Sequence, residues 1–364
     1  MRAGSVTPVE RVRLSTMSTL GVGGAAGWFL RARSLEDVAG ADAWARERGA
    51  ALTVLGGGSN VVIGDGGLEG LVLQVGITGV VQSHLSGGVR IHAGAGEPWD
   101  DVVACATARG CSGLEGLSGI PGLAGGVPIQ NVGAYGQEVA QSIDHVIAYD
   151  RTVAEMVTLR GEACGFSYRS SRFKSGDAGR FVVCAVSFRL TDRAPQIHHP
   201  ELDAQLHADG VRGPTVLDVR RAVLAIRGRK GMVLDPSDAD ARSVGSFFMN
   251  PLVSGAACEQ VASAAGTAPP VFPMPDGRLK IPAAWLIEHA GFQKGDADGA
   301  VGLSSKHPLA IINRGGATAA QVVRFAARIK RRVAERFGVW LRPEPVFLGL
   351  EADSECTFLQ RAYD

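Results

Sequence analysis

Two glycine-rich stretches carry the first sign of chemistry in this 364-residue chain. Gly56-Gly-Gly-Ser-Asn60 follows the apolar run 52–55. Consecutive glycines let backbone amides turn toward one point, a nest for a pyrophosphate, and Ser59 and Asn60 add side-chain donors (Gly56, Gly57 and Gly58 supply the amides). Residues 116–136 hold too many glycines, and two prolines, for a helix interior, yet Ile120, Leu123, Val127, Ile129 and Val132 are too apolar for a solvated linker. The stretch reads as a buried, irregular wall whose amides need partners. A large polar ligand lying against the chain would supply them, and a glycine-rich packing crossover is the other reading. Two such loops suit a long ligand with more than one polar section better than a mononucleotide.

Charged and nucleophilic residues come next. Phe166-Ser-Tyr-Arg-Ser-Ser-Arg-Phe-Lys174 interleaves cations with aromatics, either as a solvated basic loop or as an anion site. Arg227-Gly-Arg-Lys230 is again basic beside a glycine, and a short polybasic patch is its bland alternative. Gly245-Ser-Phe-Phe-Met-Asn-Pro251 reads as an apolar strand with Ser246 at its mouth, and no Gly-x-Ser-x-Gly elbow surrounds the serine, which argues against a hydrolase triad. Glu344 sits between Pro343 and Pro345 in a rigid extended strip, so its carboxylate is a positioned group or a surface accident, and the flanking prolines favour the first.

The elements that must hold these residues are legible in outline. Residues 28–33 read as a strand, Ser34-Leu-Glu-Asp37 as a helix start with Val38, Ala41 and Ala45 on one face and Gly49 as the stop, and 52–55 as a second strand. This is a small βαβ unit. Gly21-Val-Gly-Gly-Ala-Ala26 matches a dinucleotide fingerprint, but no strand precedes it and no helix follows, so a Rossmann domain is not expected. Strands follow at 71–75 and 89–93, then a helix from Pro98 to Gly110. The strand-like runs 146–149, 156–159 and 181–190 lie too close for helical crossovers, predicting an antiparallel α+β section. Residues 196–213, with His198, His199 and His207 lacking metal-ligand spacing, read as a surface loop, and 216–226 as a helix. Pro282 opens an apolar helix, 309–313 is a strand, and Thr318-Ala-Ala-Gln321 caps the longest helix, which buries Val322, Phe325, Ile329 and Val333.

Composition narrows the class. Lys+Arg 37 against Asp+Glu 36 leaves no net field to hold nucleic acid or a membrane surface. Hydrophobic residues at 46% and charged ones at 20% mark an ordinary globular protein, long enough for two or three domains. No apolar run approaches the roughly 20 residues that span a bilayer, and residues 1–13 lack an apolar signal core, so a cytoplasmic protein is expected. The scattered Cys105, Cys111, Cys164, Cys184, Cys258 and Cys356 read as buried thiols, with no metal site.

Taken in order, Gly56-Gly-Gly-Ser-Asn60, Ala93-Gly-Ala-Gly-Glu97, Gly119-Ile-Pro-Gly122 with Pro128-Ile-Gln-Asn-Val-Gly-Ala-Tyr-Gly136, Tyr168-Arg169, Gly245-Ser-Phe-Phe and Trp340-Leu-x-Pro-Glu344 closely resemble the UDP-N-acetylenolpyruvoylglucosamine reductase family of peptidoglycan precursor synthesis. The resemblance implies an α+β protein with a vanillyl-alcohol-oxidase/PCMH-like FAD-binding fold of two subdomains plus a C-terminal α+β substrate-binding domain. The implied ranges are 1–75 for the first FAD-binding subdomain, 76–226 with 341–364 for the second, and 227–340 for substrate. It implies non-covalent FAD, since neither glycine loop holds a histidine, and NADPH as co-substrate.

The same resemblance distributes the roles. Arg169 matches the family's cation, Glu344 its carboxyl partner and Ser246 its proton donor. Gly56 to Asn60, Ile120, Pro121, Gly122, Gln130, Asn131, Gly133, Ala134, Tyr135, Gly136 and Arg227 would hold the cofactor. Tyr168, Lys230, Asn250, Phe272, Lys294 and His307 would hold substrate, with Lys230, Asn250 and Lys294 at its diphosphate and Phe272 where the family often has a tyrosine against uracil. The segment after residue 174 resembles the subtype with an extra substrate-covering loop, but residues 196–202 carry His198 and His199 and no tyrosine. A monomer is expected. A flavin oxidase of the same fold acting on an alcohol or sugar, and a flavin-free binding protein, are the competing readings.

Overall fold

The computed structural model describes residues 4–362. Residues 1–3 and 363–364, included in the expected ranges and in the N-terminal reading, lie outside the described residues. The chain forms two compact units. The first holds the chain up to Val12, Ala26–Gly58 and Glu69–Leu234, and the second holds Arg13–Ala25, Ser59–Leu68 and the chain from Asp235 on.

In the first unit Ser34 starts helix α1 (Leu35–Glu47) with a reciprocal capping box to Asp37, and Val38, Ala41 and Ala45 are buried on one face. The strands flanking α1, Ala26–Ala32 and Leu52–Leu55, are not neighbours: Leu68–Val75 lies between them and pairs parallel with Leu52–Leu55. A five-stranded antiparallel sheet follows in the order Glu155–Arg160, Ile143–Asp150, Phe181–Thr191, Gly88–Gly94 and Val80–Leu85. Helix α2 (Trp99–Ala108) packs on it through Trp99 against Phe188, ring centroids 5.5 Å apart. The middle section is therefore antiparallel, as expected. Residues 196–213 are not a loop throughout. Pro200 opens helix α3 (Pro200–Ala208), whose Leu202 and Leu206, one turn apart, are buried against Val219, Ala222, Val223 and Ile226 of helix α4 (Val216–Arg229).

The second unit has its own core. Helices α5 (Gly255–Ala265), α6 (Ala283–His289) and α7 (Ala319–Phe337) surround an antiparallel sheet ordered Ser243–Ser246, Ala310–Asn313, Val301–Leu303, Ala297–Asp298. Thr318 and Gln321 cap α7 reciprocally, Gly338 ends it at φ +68°, and Val322, Phe325, Ile329 and Val333 are buried as their spacing predicts. Val346–Leu348 pairs parallel with Val61–Ile63. The closing helix α8 (Ser354–Gln360) seats Cys356 and Leu359 in the same core.

Three expectations are corrected here. Leu341, Leu350, Cys356 and Leu359 pack with the residues from Asp235 on, rather than with the middle section to which 341–364 was assigned, because α8 lies on α7. Arg227 and Lys230 fall in the first unit, because α4 carries the chain past residue 226 before the boundary at Leu234. Among the cysteines, Cys105 and Cys258 are only half-buried, and the other four are buried. No helix among the described residues is long and apolar enough to cross a membrane.

Candidate active site

The wall at 116–136 is as buried and irregular as its composition predicts. Only Gly136 within it is exposed, and its backbone passes through short 3-10 turns at Glu115–Leu117 and Ala124–Gly126 before a two-residue strand pair. Its opening amides are held by side chains: Gly116 donates to Gln137 Oε1 at 2.7 Å and Gly119 to Asp100 Oδ1 at 2.6 Å. The two glycine loops meet in the first unit. A Cβ on Gly57 would stand 2.7 Å from Gly122 Cα, so only hydrogen fits there, whereas a Cβ on Gly56 or Gly126 would face open space. Close backbone approach on one side and room on the other is the arrangement a ligand-lining glycine loop needs.

Tyr168 and Arg169 occupy a tight turn closed by Ser167 and Ser170, each amide donating to the other's carbonyl at 3.0 and 3.1 Å. Arg169 has φ +55°, and Asn131 (+45°) and Tyr135 (+48°) share that left-handed conformation. Three site candidates are thus among the five non-glycine residues with positive φ in the described chain, a strain of about 1–3 kcal/mol each that structures retain where geometry matters. The Arg169 guanidinium donates through Nη2 to the Gly133 carbonyl at 2.7 Å and lies 5.7 Å from the Tyr168 ring. Asn131 is buried and tied to Glu138 (2.8 Å), the Ser167 carbonyl (3.1 Å) and the Ala140 amide (3.1 Å), so it fixes the wall to the Arg169 turn. Ile120, Pro121, Gln130 and Ala134 are half-buried along the same wall.

Arg227 is buried to 7% exposure, donates through Nη2 to the Met232 carbonyl at 2.7 Å, and leaves Nε with no hydrogen-bond partner among the described residues. Burial lowers its pKa while Tyr135 and Asp100 pull the other way. A Cβ on Gly119 would lie 3.5 Å from that Nε, which places the guanidinium against the wall. A buried donor without an acceptor is rare, and an oxygen of a bound flavin nucleotide is the kind of group that would satisfy it. The residues of the first unit therefore fit FAD. Tyr135 is pushed up to about 12, chiefly by burial, with Glu201 adding to the rise, so its phenol stays protonated. Its ring meets His199 edge-on at 5.2 Å, and a Cβ on Gly136 would be 3.4 Å from His198 Cβ: the two histidines before α3 sit over the end of the wall. Lys230 pairs with Glu201 of α3, Nζ to Oε2, at 2.6 Å.

In the second unit Ser246, Glu344 and Asn60 come together through the backbone. The Glu344 amide donates to the carbonyl of Phe247, next to Ser246, at 2.9 Å. Asn60 Nδ2 donates to the Glu344 carbonyl at 3.4 Å, and the Val346 amide to the Asn60 carbonyl at 3.0 Å. Gly245 (φ +73°) and a register shift between Ser243 and Ser246 set the serine at the end of its strand, with Phe247 and Phe248 buried behind it. Ser59 belongs to this unit as well. Asn250 Oδ1 accepts from the Ala283 amide at 2.9 Å and so caps α6, a structural duty beside the expected one. Phe272 is 44% exposed with Lys280 Nζ 5.7 Å from its ring, and Lys294 is exposed. His307 follows Ser304, whose hydroxyl accepts from the His307 amide at 3.2 Å.

Sequence reasoning missed the groups that hold these residues. Asp100 takes a two-point contact from Arg220 (2.7 and 2.8 Å) besides the Gly119 amide. Burial would raise its carboxyl, but these bonds outweigh it and the net shift is downward. The buried Asp240 accepts from both hydroxyls and one amide of Ser304 and Ser305 at 2.7–2.9 Å, fixing the turn before His307. An acidic N-terminal turn in α2 was the one available signal for Asp100, and nothing local pointed to Glu201 or Asp240.

The chain is similar to known proteins over most of its length. A model described as FAD binding domain matches residues 26–162, and one described as UDP-N-acetylenolpyruvoylglucosamine reductase, C-terminal domain, matches 235–348. The UDP-N-acetylenolpyruvoylglucosamine reductase of Thermobifida fusca is 44% identical over 94% of this chain and 98% of its own. That of Salinispora arenicola is 46% identical over 94% and 96%. The crystal structure of the enzyme of that name from Thermus caldophilus covers 94% of this chain and 100% of its own, at 26% identity and a TM-score of 0.61.

Proposed function

The chain belongs to the UDP-N-acetylenolpyruvoylglucosamine reductase family, and we propose from this that it uses FAD and NADPH to reduce the enolpyruvyl group of UDP-N-acetylenolpyruvoylglucosamine to the lactyl ether of UDP-N-acetylmuramate. The observation that carries this reading is end-to-end coverage, 94% of this chain against 98% of a relative at 44% identity. An oxidase of related fold has less support, since the relatives that span the whole chain are reductases.

The proposed division of labour follows from the chemistry. FAD, when bound, would supply the hydride chemistry, with NADPH as the source and the methylene carbon of the substrate's double bond as the acceptor. Gly56 to Asn60, Ile120, Pro121, Gly122, Gln130, Asn131, Gly133, Ala134, Tyr135, Gly136 and Arg227 would hold the cofactor. Arg227 Nε supports that role, as does Gly56, where a Cβ would face open space. Charge then develops on the neighbouring carbon and its carboxylate. Arg169 is the fixed cation for it and the Glu344 carboxyl a hydrogen-bonding partner, acting most strongly where water is excluded. Ser246 delivers the proton to that carbon, which completes the reduction. A hydroxyl is a weak acid, so the transfer relies on the strong basicity of the carbon it protonates. Tyr168, Lys230, Asn250, Phe272, Lys294 and His307 bind substrate, with Lys230, Asn250 and Lys294 at the diphosphate.

By function, residues 1–75 and 76–226 together with Arg227 serve the flavin and the rest of 227–340 the nucleotide sugar, and the enzyme is a monomer of the cytoplasm. Steady-state NADPH consumption tests the reading: oxidation depends on the nucleotide sugar, and oxygen does not replace it. Rapid oxygen-driven turnover without the sugar would favour the oxidase.

A further inference from the structure

We propose that Glu201 of α3 is a built-in anionic plug: its carboxylate occupies the Lys230 ammonium until a diphosphate displaces it. This rests on the reading of Lys230 as a diphosphate-binding residue.

The geometry makes Glu201 a mimic of the incoming anion. Its Oε2 lies 2.6 Å from Lys230 Nζ, within the span of a charge-assisted bond that a phosphate oxygen would also form. Lys230 caps the C-terminal end of α4, where the helix dipole favours a cation. The side chains are 29% and 41% exposed, so the pair is open to solvent and competitors and costs little to break. A neighbouring hydrogen bond to an uncharged acceptor, Arg229 Nη2 to Gln205 Oε1 at 2.5 Å, ties the next turn of α3 to α4.

The rest of α3 is fastened differently. Leu202 and Leu206 are buried on α4, and His199 meets the Tyr135 ring, contacts that do not depend on the Glu201 charge. Loss of the ion pair therefore frees the Glu201 carboxylate while the apolar seat of α3 stays in place. The first turn of α3 carries His198 and His199 on its leading edge, over Gly136.

A double-mutant cycle tests this, with the FAD-loaded enzyme, the nucleotide sugar as substrate and UDP as a calorimetric probe. Glu201→Gln should lower the substrate KM and the UDP Kd about two- to fivefold, the range of one exposed ion pair, with the change carried by KM rather than kcat. Lys230→Met should raise both constants. In Lys230→Met, adding Glu201→Gln should have no further effect, because the plug has nothing left to occupy. If Lys230→Met leaves KM and Kd unchanged, the assignment of Lys230 to the diphosphate fails. If Lys230→Met weakens binding but Glu201→Gln does not tighten it, or tightens it equally without Lys230, the plug is wrong and the assignment survives.

Discussion

The guanidinium of Arg169 is seated on the carbonyl oxygen of Gly133, 2.7 Å from Nη2, and the residue beneath it has no room for a side chain. A Cβ on Gly133 would stand 2.9 Å from Arg169 Nη1 and 3.0 Å from the Gln137 carbonyl. The cation and the glycine wall are thus one construction. Arg169→Met should slow flavin reoxidation by the nucleotide sugar about 10²–10³-fold while NADPH still reduces the flavin normally. Gly133→Ala should show the same split to a smaller degree, with FAD content measured beside it. Stopped-flow traces of the two half-reactions read both, and equal slowing of both halves would place the damage in flavin binding instead.

The Ser246 hydroxyl is assigned the proton that completes the reduction. Ser246→Ala should leave reduction by NADPH intact and slow reoxidation by substrate about 10²–10⁴-fold. Unchanged reoxidation would remove Ser246 from the mechanism.

Gly57 and Gly56 differ sharply in what surrounds them. Gly57→Ala forces a methyl to within 2.7 Å of Gly122 Cα, where backbone must move, and should cost about 1–3 kcal/mol in urea unfolding of the flavin-free protein. Gly56→Ala meets no atom within 4 Å and should leave that unfolding midpoint unchanged while weakening FAD, read as the ratio of flavin to protein absorbance. A stable, fully flavinated Gly57→Ala protein would show that the two loops do not meet.

Lys330, buried on α7, gives a pH prediction. Its Nζ donates to the carbonyls of Phe358, Leu359 and Arg361 at 3.0, 2.8 and 2.9 Å, so it closes the C-terminal end of α8. Burial, with Arg342 adding to it, lowers its pKa from 10.5 to about 8. The unfolded chain therefore binds more protons than the folded one between these values, and stability rises with pH across pH 8 to 10.5 and is lost as pH falls through about 8. Unfolding midpoints of the wild type relative to Lys330→Met should climb over that window. A difference that stays flat would mean the lysine titrates normally.

The parts of this fold written locally are the parts the sequence discloses. Ser34 with Asp37 and Thr318 with Gln321 announce α1 and α7 because a capping box needs only four residues. The wall at 116–136 shows in its composition, since glycine with buried aliphatics suits neither helix nor linker. Helix α3 is hidden because Leu202 and Leu206 are its only buried apolar residues, and their partner surface lies on α4. The strand Val80–Leu85 alternates poorly and exists by pairing with Gly88–Gly94. In the site, Glu201 with Lys230 and Asp100 with Arg220 are joined over 29 and 120 residues, separations at which no spacing rule operates. The burial of Arg227, which turns a basic run into a candidate flavin contact, is likewise a product of packing.

The most direct test is an anaerobic two-step titration of the purified protein, following the visible absorbance band of its flavin. NADPH alone should bleach the band. Adding UDP-N-acetylenolpyruvoylglucosamine should restore it with one equivalent of UDP-N-acetylmuramate formed. A band that stays bleached when the sugar is added, or protein that carries no flavin at all, would contradict the account.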